Sequence, residues 1–216
     1  MRVVYLHGFA SSPQSSKARY FGARFRERGF PFEAPALDRG DFEGLTISGQ
    51  LEVIAEAVER GGDSGEVVLM GSSLGGYLAA LFASRHPDKA GRLILMAPAF
   101  HFQERWKARL NAEELAKWTR QGWAPIFHYG TGTERRLGYQ FLEDGLRYPA
   151  VPDFTQPALI LHGTRDTVVS AQESQDFVRE HPAARLVLFE TGHELTDRLD
   201  EMWQEVAAFL ELGFTK

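Results

Sequence analysis

The stretch Val67-Val68-Leu69-Met70-Gly71-Ser72-Ser73-Leu74-Gly75-Gly76 decides how the chain is read. A continuous apolar run, of the kind seen in parallel strands covered on both faces, ends at Gly71. An amphipathic segment begins by Leu74. A residue at the apex of so sharp a strand-to-helix turn has a strained backbone, and the residues two before and two after it nearly touch. Glycine fits both places. That frame selects Ser73, flanked by Gly71 and Gly75. With Ser72 at the apex, Met70 and Leu74 would crowd the turn. A phosphate loop needs Gly-Lys-Ser/Thr, and the dinucleotide turn needs Gly-x-Gly-x-x-Gly; neither spacing is present. A bare turn is the remaining alternative, and the rest of the chain has to decide against it.

Working outward, short aliphatic runs alternate with longer amphipathic ones. The strand candidates are Val3–His7, Phe32–Leu37, Val67–Gly71, Leu93–Ala97, Ala158–His162 and Leu186–Glu190. Helix candidates fall near 15–28, 47–60, 74–86, 171–180 and 195–212. The alternation predicts an α/β fold with a doubly wound, mostly parallel sheet of about six strands. In such sheets the site lies at the carboxyl ends of the strands. The interval Pro98–Pro152 breaks the rhythm, with helix-like pieces at Gln103–Leu110, Ala112–Arg120 and Arg135–Asp144 and no convincing strand. It reads as a helical insertion, a cap, rich in aromatic residues. Residues 1–97 and 153–216 then form the core.

Two later strand ends carry chemistry. Asp166 follows the run Leu159-Ile160-Leu161 in His162-Gly163-Thr164-Arg165-Asp166-Thr167-Val168-Val169. His193 follows the last strand in Glu190-Thr191-Gly192-His193-Glu194-Leu195. The order serine, acid, histidine is the one in which a strand-to-helix nucleophile finds its partners. His193 would take the Ser73 proton, and Asp166 would hold the imidazole tautomer. His7, in Tyr5-Leu6-His7-Gly8-Phe9, is read as ordering its loop. The backbone amides of Phe9 and Leu74 are candidate oxyanion donors, the second at a helix N-terminus. His86, His101, His128, His162 and His181 lack a comparable frame, and so do Asp153 and Glu104.

Composition narrows the classes further. The 216 residues carry a formal net charge of −5, so no basic field attracts nucleic acid. No apolar run approaches a membrane span, and the N-terminus runs straight into a strand pattern; a cytoplasmic protein is expected. There is no cysteine, which excludes disulfides and thiolate catalysis. No metal or redox cofactor motif is present. Pro98–Pro152 carries eight Lys/Arg against six Asp/Glu, and Lys17 and Arg19 lie soon after the first strand end. Together they could form a basic rim suited to an anionic leaving group such as a coenzyme A thioester, although a solvated charged face is the simpler reading.

The pieces His7-Gly8-Phe9, Gly71-Ser72-Ser73-Leu74-Gly75-Gly76, His162-Gly163-Thr164-Arg165-Asp166-Thr167-Val168-Val169 and Gly192-His193 together resemble the α/β-hydrolase superfamily, and more finely its small bacterial esterases and thioesterases. The resemblance spans nearly the whole chain. It implies Ser73, Asp166 and His193 as a triad, the Phe9 and Leu74 amides as the oxyanion hole, and Pro98–Pro152 as the cap. The chain starts at what looks like the family's third strand, so the two antiparallel edge strands are not expected. The implied activity is hydrolysis of a small-molecule carboxylic ester or thioester through an acyl-enzyme on Ser73. The same triad could instead cleave a carbon–carbon or amide bond, and a non-catalytic ligand-binding protein is a third reading. A homo-oligomer is left open.

Overall fold

A computed structural model describes residues 1–62 and 65–213. Six strands, β1 (Arg2–Leu6), β2 (Phe32–Glu33), β3 (Val67–Ser72), β4 (Arg92–Met96), β7 (Ala158–Gly163) and β8 (Ala184–Phe189), form one sheet in the order β2-β1-β3-β4-β7-β8. Every pairing in it is parallel. The central strands carry unbroken apolar runs because both faces are covered. Alternate residues serve opposite faces. Val4, Leu6, Leu69, Leu95 and Ile160 enter one core. Val3, Tyr5, Met70, Met96 and Leu161 enter the other.

Helices α2 (Ile47–Glu59), α3 (Leu74–Arg85) and α7 (Ala171–Glu180) contribute to the first core. Helices α1 (Ser16–Glu27) and α8 (Leu199–Phe209) contribute to the second. The expected C-terminal helix 195–212 divides into a 3-10 turn, Thr196–Arg198, followed by α8. Helix α3 is buried from Leu74 to Ala83 on every side, as a helix in the interior of a layered fold must be. Strand β2 stops well short of the expected Phe32–Leu37. Pro31 precedes it and Pro35 follows, and a proline nitrogen cannot donate to a ladder. No described helix is long and apolar enough to cross a membrane.

The interval 98–152 differs from its expected helical character. Helices α4 (Phe102–Arg109), α5 (Ala112–Gln121) and α6 (Gln140–Gly145) are present. Between α5 and α6 lies an antiparallel hairpin of β5 (Trp123–His128) and β6 (Thr133–Gly138). Residues 135–138, expected to begin a helix, are strand. The ribbon is only two strands wide, so Pro125 can sit in it with its missing N–H facing outward. The turn passes through Gly132 at φ +69°, which glycine adopts at no steric cost. Charged residues on β6 lie over rings: the Arg136 guanidinium is 4.3 Å from the Trp123 centroid, and that of Arg135 is 5.6 Å from Phe42.

The hairpin is tied to its neighbours by polar contacts at each end. Trp118 Nε1 donates to the Leu137 carbonyl at 3.0 Å, and the Gly138 amide donates to Glu43 O at 2.9 Å. At the turn, the Gly130 amide donates to Ala10 O at 3.2 Å. Trp118→Phe keeps the buried ring but removes the indole donor to the Leu137 carbonyl, at a cost of about 0.5–1.5 kcal/mol. Amide hydrogen exchange should quicken across 123–138 in that variant and stay slow in β3 and β4.

Candidate active site

Parallel pairing brings every β-strand carboxyl end to one edge. Leu6 is in register with Gly71, Ser72 with Met96, and Gly163 with Phe189. The loops after β1, β3, β7 and β8 therefore meet there, and they carry Phe9, Ser73, Asp166 and His193.

The turn after β3 is as tight as the glycine spacing demands. A Cβ on Gly71 would lie 2.1 Å from Gly75 O, and one on Gly75 would lie 2.1 Å from Leu6 O and 2.6 Å from His7 O. Gly71 thus admits the first turn of α3, and Gly75 admits the end of β1. Ser73 sits between them at φ 53°, ψ −117°, a conformation costly for any residue with a Cβ and tolerated where the surroundings over-determine it. Its amide donates to Met96 O at 2.8 Å, and its carbonyl accepts from the Gly76, Tyr77 and Ala99 amides. Ser72 is a buried strand residue paired with Met96, its side chain near the Tyr5 hydroxyl.

The strained backbone presents Ser73 Oγ to His193. Ser73 Oγ–H and His193 Nε2 are 3.0 Å apart, and His193 Nδ1 lies 2.7 Å from Asp166 Oδ2. With Nδ1–H donating to the carboxylate, Nε2 is left as the acceptor that a hydroxyl proton needs. The Asp166 side chain is fully enclosed and that of His193 nearly so.

Both carboxylate oxygens of Asp166 are occupied. Oδ1 accepts from the Val168 and Val169 amides at 2.8 Å each. Oδ2 faces His193 and also His162 Nε2 at 3.3 Å. Burial acts to raise the carboxyl group, but the hydrogen bonds from His162, His193 and the Val169 amide outweigh it and hold Asp166 well below the ordinary carboxylate range. His162, set aside in the sequence for want of a comparable frame, accepts from Ser174 Oγ at 2.7 Å and has Nε2 3.1 Å from Val169 O. Its spacing four before Asp166 across a glycine turn was the available signal.

The loop after β1 crosses directly over the serine. A Cβ on Gly8 would lie 3.5 Å from Ser73 Cβ. Among the described residues, neither the Phe9 nor the Leu74 amide has a hydrogen-bond partner. Both stand beside Ser73, and the Leu74 amide opens α3, where the helix dipole favours negative charge. His7 orders this loop: Nδ1 is 3.0 Å from Gly8 O, and Nε2 accepts from the Leu37 amide at 3.4 Å. Burial lowers its imidazole, which keeps it neutral. The other candidates lie in separate contacts. His181 stacks on Phe177 and pairs with Asp153, and His101 pairs with Glu104. Lys17, expected on an exposed rim, is buried and turned toward the His193 loop.

The six-stranded parallel sheet, with serine, histidine and aspartate aligned at its carboxyl edge, is an α/β-hydrolase fold. The chain belongs to Uncharacterised protein family (UPF0227), whose model matches residues 2–211. Over 100 residues, 44% of this chain, it is 36% identical to the biotin biosynthesis bifunctional protein BioHC of Teredinibacter turnerae, of which that match spans 17%. Among solved structures, mouse alpha/beta hydrolase domain-containing protein 10 superposes at a TM-score of 0.80, covering 97% of this chain and 89% of that one at 19% identity. Est1E from Butyrivibrio proteoclasticus, solved with ferulic acid bound, superposes at 0.77, covering 95% and 89% at 19% identity. At such identities the likeness is one of fold.

Two measurements follow from this geometry. Gly75→Ala drives a methyl into the Leu6 carbonyl and should destabilise the fold by about 1–3 kcal/mol or more in denaturant titration. Asp166 is depressed on folding, so its stabilisation is complete above the unfolded carboxyl value of about 3.9 and is lost as pH falls toward the folded value. The thermal midpoint should therefore drop on acidification below about pH 4. Asp166→Asn should flatten that dependence.

Proposed function

We propose that this protein is a serine hydrolase that cleaves carboxylic esters or thioesters through an acyl-enzyme on Ser73. The observation that carries the reading is the hydrogen-bonded line Ser73 Oγ–His193–Asp166, at 3.0 and 2.7 Å, launched from a serine held at φ 53°. Strained backbone of this kind clusters at functional sites, and here it aims a serine at an imidazole.

Ser73 Oγ attacks the substrate carbonyl carbon as His193 Nε2 takes its proton. The carbonyl oxygen gains negative charge, and the Phe9 and Leu74 amides stabilise it. Asp166 keeps Nδ1 protonated and balances the imidazolium. The intermediate then collapses: the bond to the alcohol or thiol breaks, and the leaving group receives the proton from His193. Water then adds to the acyl carbon while His193 takes its proton; the bond from the acyl carbon to Ser73 Oγ breaks, and His193 returns the proton to Oγ as the carboxylic acid leaves.

Residues 98–152 act as a cover over Ser73. In support, α4 has contacts on both sides of the serine. Trp106 meets Phe9 edge-on at 5.3 Å on the β1 side, and Arg105 bonds Glu173 of α7 at 2.6 Å on the β7 side. Phe141 is 5.3 Å from Phe9 and 5.8 Å from Trp106. An aromatic wall next to an oxyanion amide favours an apolar acyl or aryl group on the acid side of the substrate. Est1E, of the same fold, holds ferulic acid, an aryl carboxylic acid.

Wild-type protein should be labelled by a fluorophosphonate and should hydrolyse p-nitrophenyl esters of short acids. Ser73→Ala should abolish the label and lower kcat by about 10^4- to 10^6-fold. Label on Ser72, or persisting in Ser73→Ala, would overturn the assignment. Aryl esters, alkyl esters and acyl-coenzyme A thioesters assayed side by side would identify the leaving group.

A further inference from the structure

Lys17 is a buried charge that the reaction above leaves unused. It lies in the first turn of α1, two residues after the N-cap Ser15, and only 7% of its surface is exposed. Its Nζ donates to the backbone carbonyl of Glu194 at 2.7 Å, a bond between residues 177 positions apart. Glu194 directly follows His193. The next residue, Leu195, stands at φ 57°, so the loop leaves the histidine through a left-handed kink. A buried ammonium is costly unless something gains from it. Here its contact is with the segment that carries the base.

We propose that Lys17 is a positioning residue for His193: its ammonium anchors the histidine loop through the Glu194 carbonyl and places its charge against the residue next to His193. The proposal rests on the acyl-enzyme reading for its consequence in catalysis, though not for its consequence on the imidazole itself.

The charged and titratable neighbours are few and can be named. On the Lys17 side, burial pulls the ammonium down from its ordinary value, and the Glu194 and Asp166 carboxylates act in the opposite sense. From β1, the Tyr5 hydroxyl also feels Glu194; burial raises it, so it remains uncharged at any working pH. On the His193 side stand the Asp166 carboxylate and the Ser73 hydroxyl, with His162 behind Asp166. Thr191, in the same loop, donates to Asp197. Asp166 favours the imidazolium. A lysine cation acts in the opposite sense, and substitution of Lys17 tests that action. The anchor serves one end: an imidazole held in line between Ser73 Oγ and Asp166.

The test uses Lys17→Met, Lys17→Gln and Lys17→Arg in the full-length protein. The His193 imidazole is titrated by NMR, assigned against His193→Ala, and fluorophosphonate labelling of Ser73 is followed against pH. In Lys17→Met and Lys17→Gln the His193 titration, and the acid limb of labelling with it, should move up by about half a pH unit or more. Labelling at the optimum should slow by about 10- to 100-fold in Lys17→Met, with KM for an ester little changed, because a displaced base costs the chemical step. Lys17→Arg should restore the titration. An unmoved titration in Lys17→Gln, which keeps a donor for the Glu194 carbonyl and drops the charge, overturns the electrostatic half. Wild-type labelling rates in Lys17→Met overturn the positioning half. If Lys17→Met does not fold, the Lys17→Gln titration alone decides. A wild-type protein that takes no label defeats the acyl-enzyme reading but leaves the NMR comparison intact.

Discussion

Where β3 turns into α3, backbone lies against backbone with no room for a side chain. Gly71 faces the Gly75 carbonyl, and Gly75 faces the Leu6 and His7 carbonyls. This double approach fixes three things together. It sets the entry of a helix buried on every side, it draws the end of β1 over the turn, and it forces the intervening residue into a conformation that presents its side chain outward. The loop after β1 then passes within contact of Ser73, at Gly8.

The acid side of the site is organised by hydrogen-bond accounting. Asp166 has two oxygens and four neighbours: two amides on Oδ1 and two imidazoles near Oδ2. An enclosed carboxylate left short of donors would take up a proton, and this one is held ionised instead. His162 does not reach Ser73, yet it belongs to this arrangement, with its other nitrogen committed to Ser174.

Features set by short-range sterics were legible from residues alone. Gly71 and Gly75 single out Ser73, and Asp166 and His193 each follow an apolar run by a few positions; the structure brings these three side chains together. The six parallel strands were legible for the same reason, since buried strands show as unbroken apolar runs. Features that depend on distant partners were not. Lys17 looked like a rim lysine because its partner is a backbone carbonyl at Glu194, which no spacing reveals. The hairpin was hidden because Arg135 and Arg136 suit a helix surface equally well, and what holds them in a strand is Phe42 and Trp123 under their guanidinium groups. Strand β2 was overestimated because an apolar pattern says nothing of the ladder donors that Pro35 lacks.

The bond between Ser73 and His193 joins residues 120 positions apart, and the loop that carries the histidine follows β8, the last strand and an edge of the sheet. Order of assembly follows from that placement. A chain emerging from synthesis holds the Phe9 loop, Ser73 and then Asp166 long before it holds His193. Strands β1, β3, β4 and β7 can pair before the Ser73–His193 bond exists, because the loop that carries the imidazole follows β8, which docks on β7. The Ser73–His193–Asp166 line is therefore among the last contacts this molecule completes as it folds.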